Sequence, residues 1–398
     1  MRSPSPFTLV VLCAACAGGT DAREPGSTET EGDEIVSSDG TLVTIDPTGF
    51  SSTSPSTTVA DASSGSESGS SGASSPSNSA DGSTAGSTSG DGPTVVEITP
   101  ADGSEGVEPG TAIALRFSAA MDPTSIVGDD GSCTGAVQLS DDDFASCAPL
   151  STAAIASEGD TVFQLMPDDA LASAGEYRVR VTPTVTAADG TPLGASFESE
   201  GFRVRYFHSI DVDGEDDWNG DESFATSTVG HTAYTAWDDD YVYLGVRSPD
   251  VAAGNGQVWV VAYFGGAAGT EDGVLFNTQQ PLLPFAAQWH LRWRADNTFT
   301  ESLQFDGDDW VSPGWAIADG DVYQQGELLE LRVARSNIGD PELLELHMGI
   351  LRETELAEAS WAAHPEGSYV DGYDPGYGEY WAYDLLGSDT PAQHVPES

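Results

Sequence analysis

The chain has 398 residues, with 13 Lys+Arg set against 65 Asp+Glu and a formal net charge of -52. That charge repels phosphate backbones and anionic headgroups, which excludes nucleic acid and electrostatic membrane docking. The length accommodates two modest domains plus spacers, and no lysine occurs anywhere.

The N-terminus reads as an export signal over residues 1–16. Arg2 supplies a thin positive region, Phe7 to Ala15 an apolar run, and small residues follow. The run is too short to span a bilayer, which takes about 20 apolar residues, and no later stretch is long enough. The segment Leu12-Cys13-Ala14-Ala15-Cys16-Ala17-Gly18 resembles the lipobox of bacterial lipoproteins, with Cys13 where Leu is usual. The resemblance implies acylation of Cys16 and a lipid anchor as the one membrane attachment. An ordinary cleaved secretory peptide is the alternative. Either places the protein outside the cytoplasm, at the outer membrane or cell surface.

Residues 17–93 are Ser, Thr, Gly, Asp and Pro with little else, and Phe50 is their one aromatic residue. Such a segment buries too little apolar surface to offset chain entropy and is predicted to be a disordered linker. Its reach is roughly 5–6 Å times the square root of its length.

A first folded unit is predicted over 94–205. TAIALRFS places Ile113, Leu115 and Phe117 on one face, and EYRVRVTP places Tyr177, Val179 and Val181 on one face. That period of two, punctuated by Gly-containing turns, predicts antiparallel strands of a sandwich. Cys133 and Cys147 are the two cysteines beyond the leader, and in an exported chain they are expected to form a disulfide. The stretch ITPADGSEGVEPGTAIALRFSAAMDPTSI resembles the opening of the bacterial Ig-like domains first described in S-layer proteins. The match rests on Pro100, Asp102-Gly103, Gly106-Val107, Phe117 and Met121-Asp122, and later on Pro167, Leu171, Tyr177 and Asp189-Gly190. The CTGAVQLSDDDFASC insertion is similar to a subgroup with its own disulfide. The resemblance implies a spacer or adhesion module.

A second unit, 206–388, carries every tryptophan of the chain and precedes a tail, 389–398, expected to be flexible. Strands are predicted at 233–237, 241–246, 257–264, 288–294, 328–333, 344–351 and 379–385, with no persuasive helical period. The fold class is therefore all-β: two antiparallel β-sandwich domains after a signal peptide and a long disordered linker. Asp213-Gly214, Asp217-Trp218, Trp237, Asp238 to Asp240, Tyr241 and Tyr243 resemble the start of family-9-like carbohydrate-binding modules and the related DOMON-like sandwiches. The resemblance implies a non-catalytic carbohydrate-binding domain.

Asp211, Asp213, Asp216 and Asp217 crowd one turn, an arrangement that supplies hard oxygen ligands for Ca²⁺, the one candidate cofactor. A solvated turn is the alternative in a chain this acidic, and Asp238 to Asp240 and Asp306 to Asp309 form further acidic turns. Trp289, Leu291 and Trp293 are expected to face a core, leaving His290, Arg292 and Arg294 on the other face of their strand. Tyr369, Tyr373 and Tyr377 fall in a Gly/Pro/Asp loop and, with Trp315, are the candidate ligand platform, since Tyr and Trp rings stack on sugars. Asn277 to Gln280 is a weaker contributor. No nucleophile elbow, zincin, P-loop or dinucleotide fingerprint occurs, so no catalytic residue is assigned and the protein is not expected to be an enzyme. The expected partner is an extracellular glycan or an envelope protein; a cryptic polysaccharide hydrolase is the remaining reading.

Overall fold

The structure is a computed structural model that describes residues 92–398 apart from 313, 355, 356 and 374. The leader with Cys16 and the linker to residue 91 lie outside the described residues. The described chain is nearly all strand. The first group is β1 (Val95–Thr99), β2 (Ile113–Phe117), β3 (Val137–Ser140), β4 (Ile155–Ser157), β5 (Val162–Leu165), β6 (Glu176–Val181), β7 (Phe197–Glu198) and β8 (Phe202–Arg203). The second group begins with β9 (Ser223–Ala225), β10 (Thr232–Trp237), β11 (Tyr241–Arg247), β12 (Val258–Asp272), β13 (Leu282–Arg294) and β14 (Thr300–Phe305). It continues with β15 (Trp310–Val311), β16 (Val322–Gln325), β17 (Leu328–Ala334), β18 (Leu343–Arg352), β19 (Ala359–His364) and β20 (Trp381–Asp384).

In the first group, a sheet ordered β1-β2-β5-β4 faces a second in which β3, β7 and β8 all pair with β6. The alternation read from the sequence decides which residues meet. Ile113, Leu115 and Phe117 from one sheet and Tyr177, Val179 and Val181 from the other are buried in one core with Phe163 and Phe202. Cys133 and Cys147 are disulfide-bonded, as expected, with Cα atoms 5.3 Å apart. Closing this short loop removes denatured-state entropy worth about 3 kcal/mol.

In the second group, a five-stranded sheet ordered β16-β17-β11-β10-β9 packs on a seven-stranded one ordered β15-β14-β13-β12-β18-β19, with β20 also on β18. Trp237, Leu244, Leu329 and Leu331 of the smaller sheet meet Val260, Phe264, Trp289, Leu291, Trp293 and Met348 of the larger. The large sheet is buried on its other face as well. There Trp259, Val261 and Tyr263 of β12 and Leu283 and Phe285 of β13 are covered by Val274, Phe276, Tyr369 and Tyr377. Adjacent residues of β18 show the division: Met348 enters the first core, while His347 stacks on Tyr377 beneath the covering loops.

His290, Arg292 and Arg294 lie on the face opposite the core that Trp289, Leu291 and Trp293 enter. His290 is fully buried, Arg292 pairs with Glu301, and Arg294 pairs with Asp296 while lying over Trp259 and Phe299. The covering segments, 273–281, 365–373 and 375–380, convert that face into a second core. Residues 389–398, expected as a flexible tail, are held against the fold. Tyr380 and Glu397 exchange backbone hydrogen bonds of 2.9 and 2.8 Å, and the His394 ring lies 5.3 Å from Tyr383. Polar composition suggested a loose tail, but these backbone groups complete a bridge beside β20.

The two sandwiches meet along the segment that joins them. Arg205, nearly fully buried, reaches Glu108 at 2.9 Å on one side and Asp239 at 2.5 Å on the other. Arg203 pairs with Asp389 at 3.0 Å, and the Gly106 amide donates to Ser388 Oγ at 2.7 Å. The Tyr206 amide donates to the Gly387 carbonyl and the His208 amide to that of Trp237. The connection is thus hydrogen-bonded to both neighbours along its length.

Candidate functional site

The acidic turn after residue 210 is organised from beneath. Glu330 on β17 is fully buried, and its carboxylate accepts from the amides of Asp213 (3.1 Å) and Gly214 (2.7 Å) and from the Trp218 indole (3.3 Å). Burial pushes the Glu330 carboxyl up, and these donors oppose the shift only in part. Gly214 has φ 85°, a conformation that favours glycine. Trp218 lies 5.2 Å from Tyr234 and against Gly245, where a Cβ would approach its ring to 2.9 Å. The Asp-Gly-x-x-Asp-Trp motif therefore builds a cover over the outer face of the five-stranded sheet.

Asp211, Asp213, Asp216 and Asp217 are exposed. Asp216 pairs with Arg247 at 2.6 Å, Asp217 accepts the Asp211 amide, and Asp213 accepts that of Glu215. Their side chains serve the turn and one arginine. Among the described residues, no group of three or more His, Cys, Asp and Glu is placed to hold a metal ion.

The tyrosine loop divides. Tyr369 and Tyr377 are buried, packing on each other at 4.8 Å and on His347. The Tyr369 hydroxyl donates to the Trp361 carbonyl. His347 is fully buried, its Nε2 is 2.9 Å from Ser368 Oγ, and desolvation pushes its pKa down to about 3. Tyr373 alone is well exposed, with its hydroxyl on the Thr278 carbonyl. Trp315 is half-buried against the first core, edge-on to Phe264. The four candidate rings do not form one platform: Tyr369 and Tyr377 close the second core, and Trp315 packs on the first.

A different set of residues forms a cleft. At the free edge of the seven-stranded sheet, a cavity of about 630 Å³ is lined by Thr270, Asp272, Gln280, Phe305, Asp309 and Trp310, among others. Sites of this size commonly take small ligands. The β14–β15 hairpin makes one wall. In its turn, Asp306 Oδ1 accepts the amides of Asp308 and Asp309, both at 3.0 Å, and Gly307 takes φ 107°. These amide donors hold the Asp306 carboxyl below its ordinary pKa. The end of β12 makes the other wall, and the two are joined where the Trp310 indole N–H donates to the Asp272 carbonyl at 2.9 Å.

The indole is fixed by its neighbours. Phe305, Tyr263 and His290 lie 5.8, 6.0 and 6.2 Å from it, each at a steep angle. His290 is fully buried, and neither of its ring nitrogens has a well-formed hydrogen bond. Desolvation, reinforced by Arg292 and weakly opposed by the Ala262 backbone, lowers its pKa to about 3, so it is neutral at physiological pH.

The sequence marks Asp306 to Asp309 as an acidic turn but gives Trp310 no role of its own. The signal was present as Asp306-Gly307-Asp308-Asp309-Trp310, a turn followed directly by an aromatic residue. What was missing was β12 extending to Asp272 to supply the facing wall. Of the weaker polar stretch, Gln280 lines the cleft, whereas Asn277 and Thr278 bond to Thr354 and Glu358.

A search of curated proteins returns no match. Solved structures with some likeness include the N-terminal part of the bacterial S-layer protein SbsC, at 9% identity and a TM-score of 0.22, covering 68% of this chain and 44% of that one. Domains 1–6 of surface layer protein SbsC give 6% identity and a TM-score of 0.22, covering 65% and 39%. This chain thus spans less than half the length of those proteins. Superposition that weak identifies no shared architecture across the whole chain. The informative comparison is local: residues 90–203, which hold the first two sheets, match the bacterial Ig-like domain family.

Proposed function

We propose that this chain is an exported, surface-displayed, non-catalytic binding protein whose second sandwich takes a glycan in the cleft beside Trp310. Cys16 would anchor it by lipid, the linker would give reach, and the Ig-like sandwich would act as spacer. The observation that carries the binding reading is the cleft itself, where a fixed indole and Phe305 stand beside carboxylates and the Gln280 amide. Aromatic faces with polar groups at their rim suit sugar rings, whose flat apolar faces stack while their hydroxyls hydrogen-bond. Export is supported by the bonded pair Cys133–Cys147, because such bonds persist in oxidising compartments. The resemblance of 206–388 to carbohydrate-binding modules points the same way.

A second reading, a structural or adhesion protein that binds an envelope protein, is favoured by the match of residues 90–203 to the bacterial Ig-like domain. A glycan array probed with the intact purified chain and with Trp310→Ala separates the two. Glycan signals lost in the variant support the binding reading. An array with no signal above background overturns it in favour of a protein partner.

A further inference from the structure

We infer that the cleft selects amine-bearing sugars, that is, glycans with free hexosamine amino groups, over neutral and acidic ones. The inference rests on the glycan reading of the cleft and adds the chemistry of its ligand.

Three carboxylates, Asp272, Asp308 and Asp309, line the cavity, and all three are exposed. None has a side-chain hydrogen-bond or ion-pair partner among the described residues. The turn explains why for two of them. Asp306 already satisfies the amides that shape it, so the Asp308 and Asp309 side chains are not needed to hold the hairpin. Trp310 likewise bonds to the Asp272 backbone carbonyl, which leaves that carboxylate unused.

Among the described residues, no cation lines the cleft beside them. The lining contains no arginine, and the arginines of the neighbouring strand are committed to Glu301 and Asp296. Elsewhere Arg116, Arg178, Arg180, Arg203, Arg205, Arg247 and Arg332 also hold acidic partners. His290, the basic side chain behind the indole, is buried without a well-formed hydrogen bond and adds no positive charge to the floor. Among the described residues, the lining of the cleft thus supplies no positive counterpart of its own.

The aromatic wall narrows what that counterpart can be. A bare metal ion has no ring to stack on Phe305 and Trp310, whereas an ammonium group on a stackable ring uses both features. The ring covers the indole, and the ammonium lies within reach of the carboxylates and the negative face of the π system. A uronate or sulfated sugar would instead bring a like charge toward three carboxylates, which is unfavourable at any local dielectric. A neutral sugar keeps the stacking and loses the charge pairing.

The test is calorimetric titration of the intact chain at physiological ionic strength with four tetrasaccharides: glucosamine, N-acetylglucosamine, glucose and galacturonate oligomers. The glucosamine tetramer is expected to bind roughly threefold to fivefold tighter than the neutral ones, about the effect of one exposed ion pair, and the galacturonate tetramer not at all. Asp308→Asn with Asp309→Asn should remove the preference by lowering glucosamine-tetramer affinity toward that of the neutral tetramers. Asp168→Asn with Asp169→Asn, the same charge change on the exposed surface of the other sandwich, should leave all affinities unchanged. Equal binding of amine-bearing and neutral tetramers would overturn amine selection while the glycan reading stands. Amine binding that falls equally with the remote pair would also overturn it, by showing charge adsorption to an acidic surface. If no tetramer binds, both readings fail together.

Discussion

Trp310 ties the outermost strand of the large sheet to the end of β12 through its indole N–H on the Asp272 carbonyl. One side chain thereby forms both a wall of the cleft and the link that keeps its two walls together. The functions separate by substitution. Trp310→Phe keeps an aromatic surface and loses the hydrogen bond, so it should cost about 0.5–1.5 kcal/mol of stability and weaken glycan binding modestly. Trp310→Ala should abolish binding. Urea denaturation and a binding isotherm on the same preparations check both; binding that survives in the alanine variant removes Trp310 from the site.

Arg205 couples the sandwiches because its guanidinium is buried while both carboxylate partners are largely exposed. Arg205→Met keeps much of the packed stem and deletes both ion pairs, and no buried carboxylate is left unpaired. The expected cost is about 1–2 kcal/mol. Scanning calorimetry should show the unfolding endotherm broadening or splitting as the sandwiches uncouple. A single sharp endotherm at the wild-type temperature would show that the backbone contacts of Tyr206 and His208 suffice.

Gly349 on β18 lies directly beneath the Tyr369 hydroxyl, which would collide with any Cβ placed there. Gly349→Ala should therefore destabilise by about 1–3 kcal/mol. Tyr369→Phe removes the obstructing oxygen, so the double variant should recover part of that loss. A denaturant-based double-mutant cycle measures the coupling, and strict additivity would contradict the contact.

The response to pH follows from two opposed sets of groups. Desolvation lowers His290, His347 and His364 from the ordinary 6.5 to about 3. The unfolded chain binds these protons first, so stability is complete above about pH 6.5 and falls as pH drops toward 3, by up to about 1.4 kcal/mol per pH unit for each imidazole. His208 behaves oppositely. Its hydrogen bond to Glu222 raises its pKa despite partial burial, so that contribution is full below 6.5 and fades above the raised value. Burial acts to raise Glu222, but bonds from His208, Tyr206 and the Asn219 amide outweigh it, so its contribution holds above 4.5 and is lost in more acid solution. The three buried rings dominate. Melting temperatures should climb from pH 3 to 6.5, and His347→Gln should make that climb shallower. A flat profile would contradict the buried neutral imidazoles.

Much of the fold could be read directly. The alternation in TAIALRFS, EYRVRV and QWHLRWR identified strands and the first core's inward residues, because a period of two is a local property. The second core was not legible. Nothing within QWHLRWR indicates that the chain returns to bury His290, since that depends on where Phe276 and Trp310 land. The same cause displaced the site. A tyrosine in a Gly/Pro/Asp loop resembles a displayed ring until another apolar surface is found beneath it. Trp310 was hidden for the converse reason: its partner wall, Asp272, is 38 residues away and becomes adjacent only through the long β12–β13 ladder.

A sheet filled on both faces has a consequence for how specificity can change. Substitutions on either broad side propagate into packing, whereas the Asp306 to Asp309 turn touches neither interior and sits at a terminal strand of two residues. Insertions or exchanges there would leave the registers of β12, β13 and β18 undisturbed. The scaffold therefore concentrates its evolvable surface in one short hairpin tip, and diversity among relatives of this domain should collect there while the rest of the sheet stays constrained.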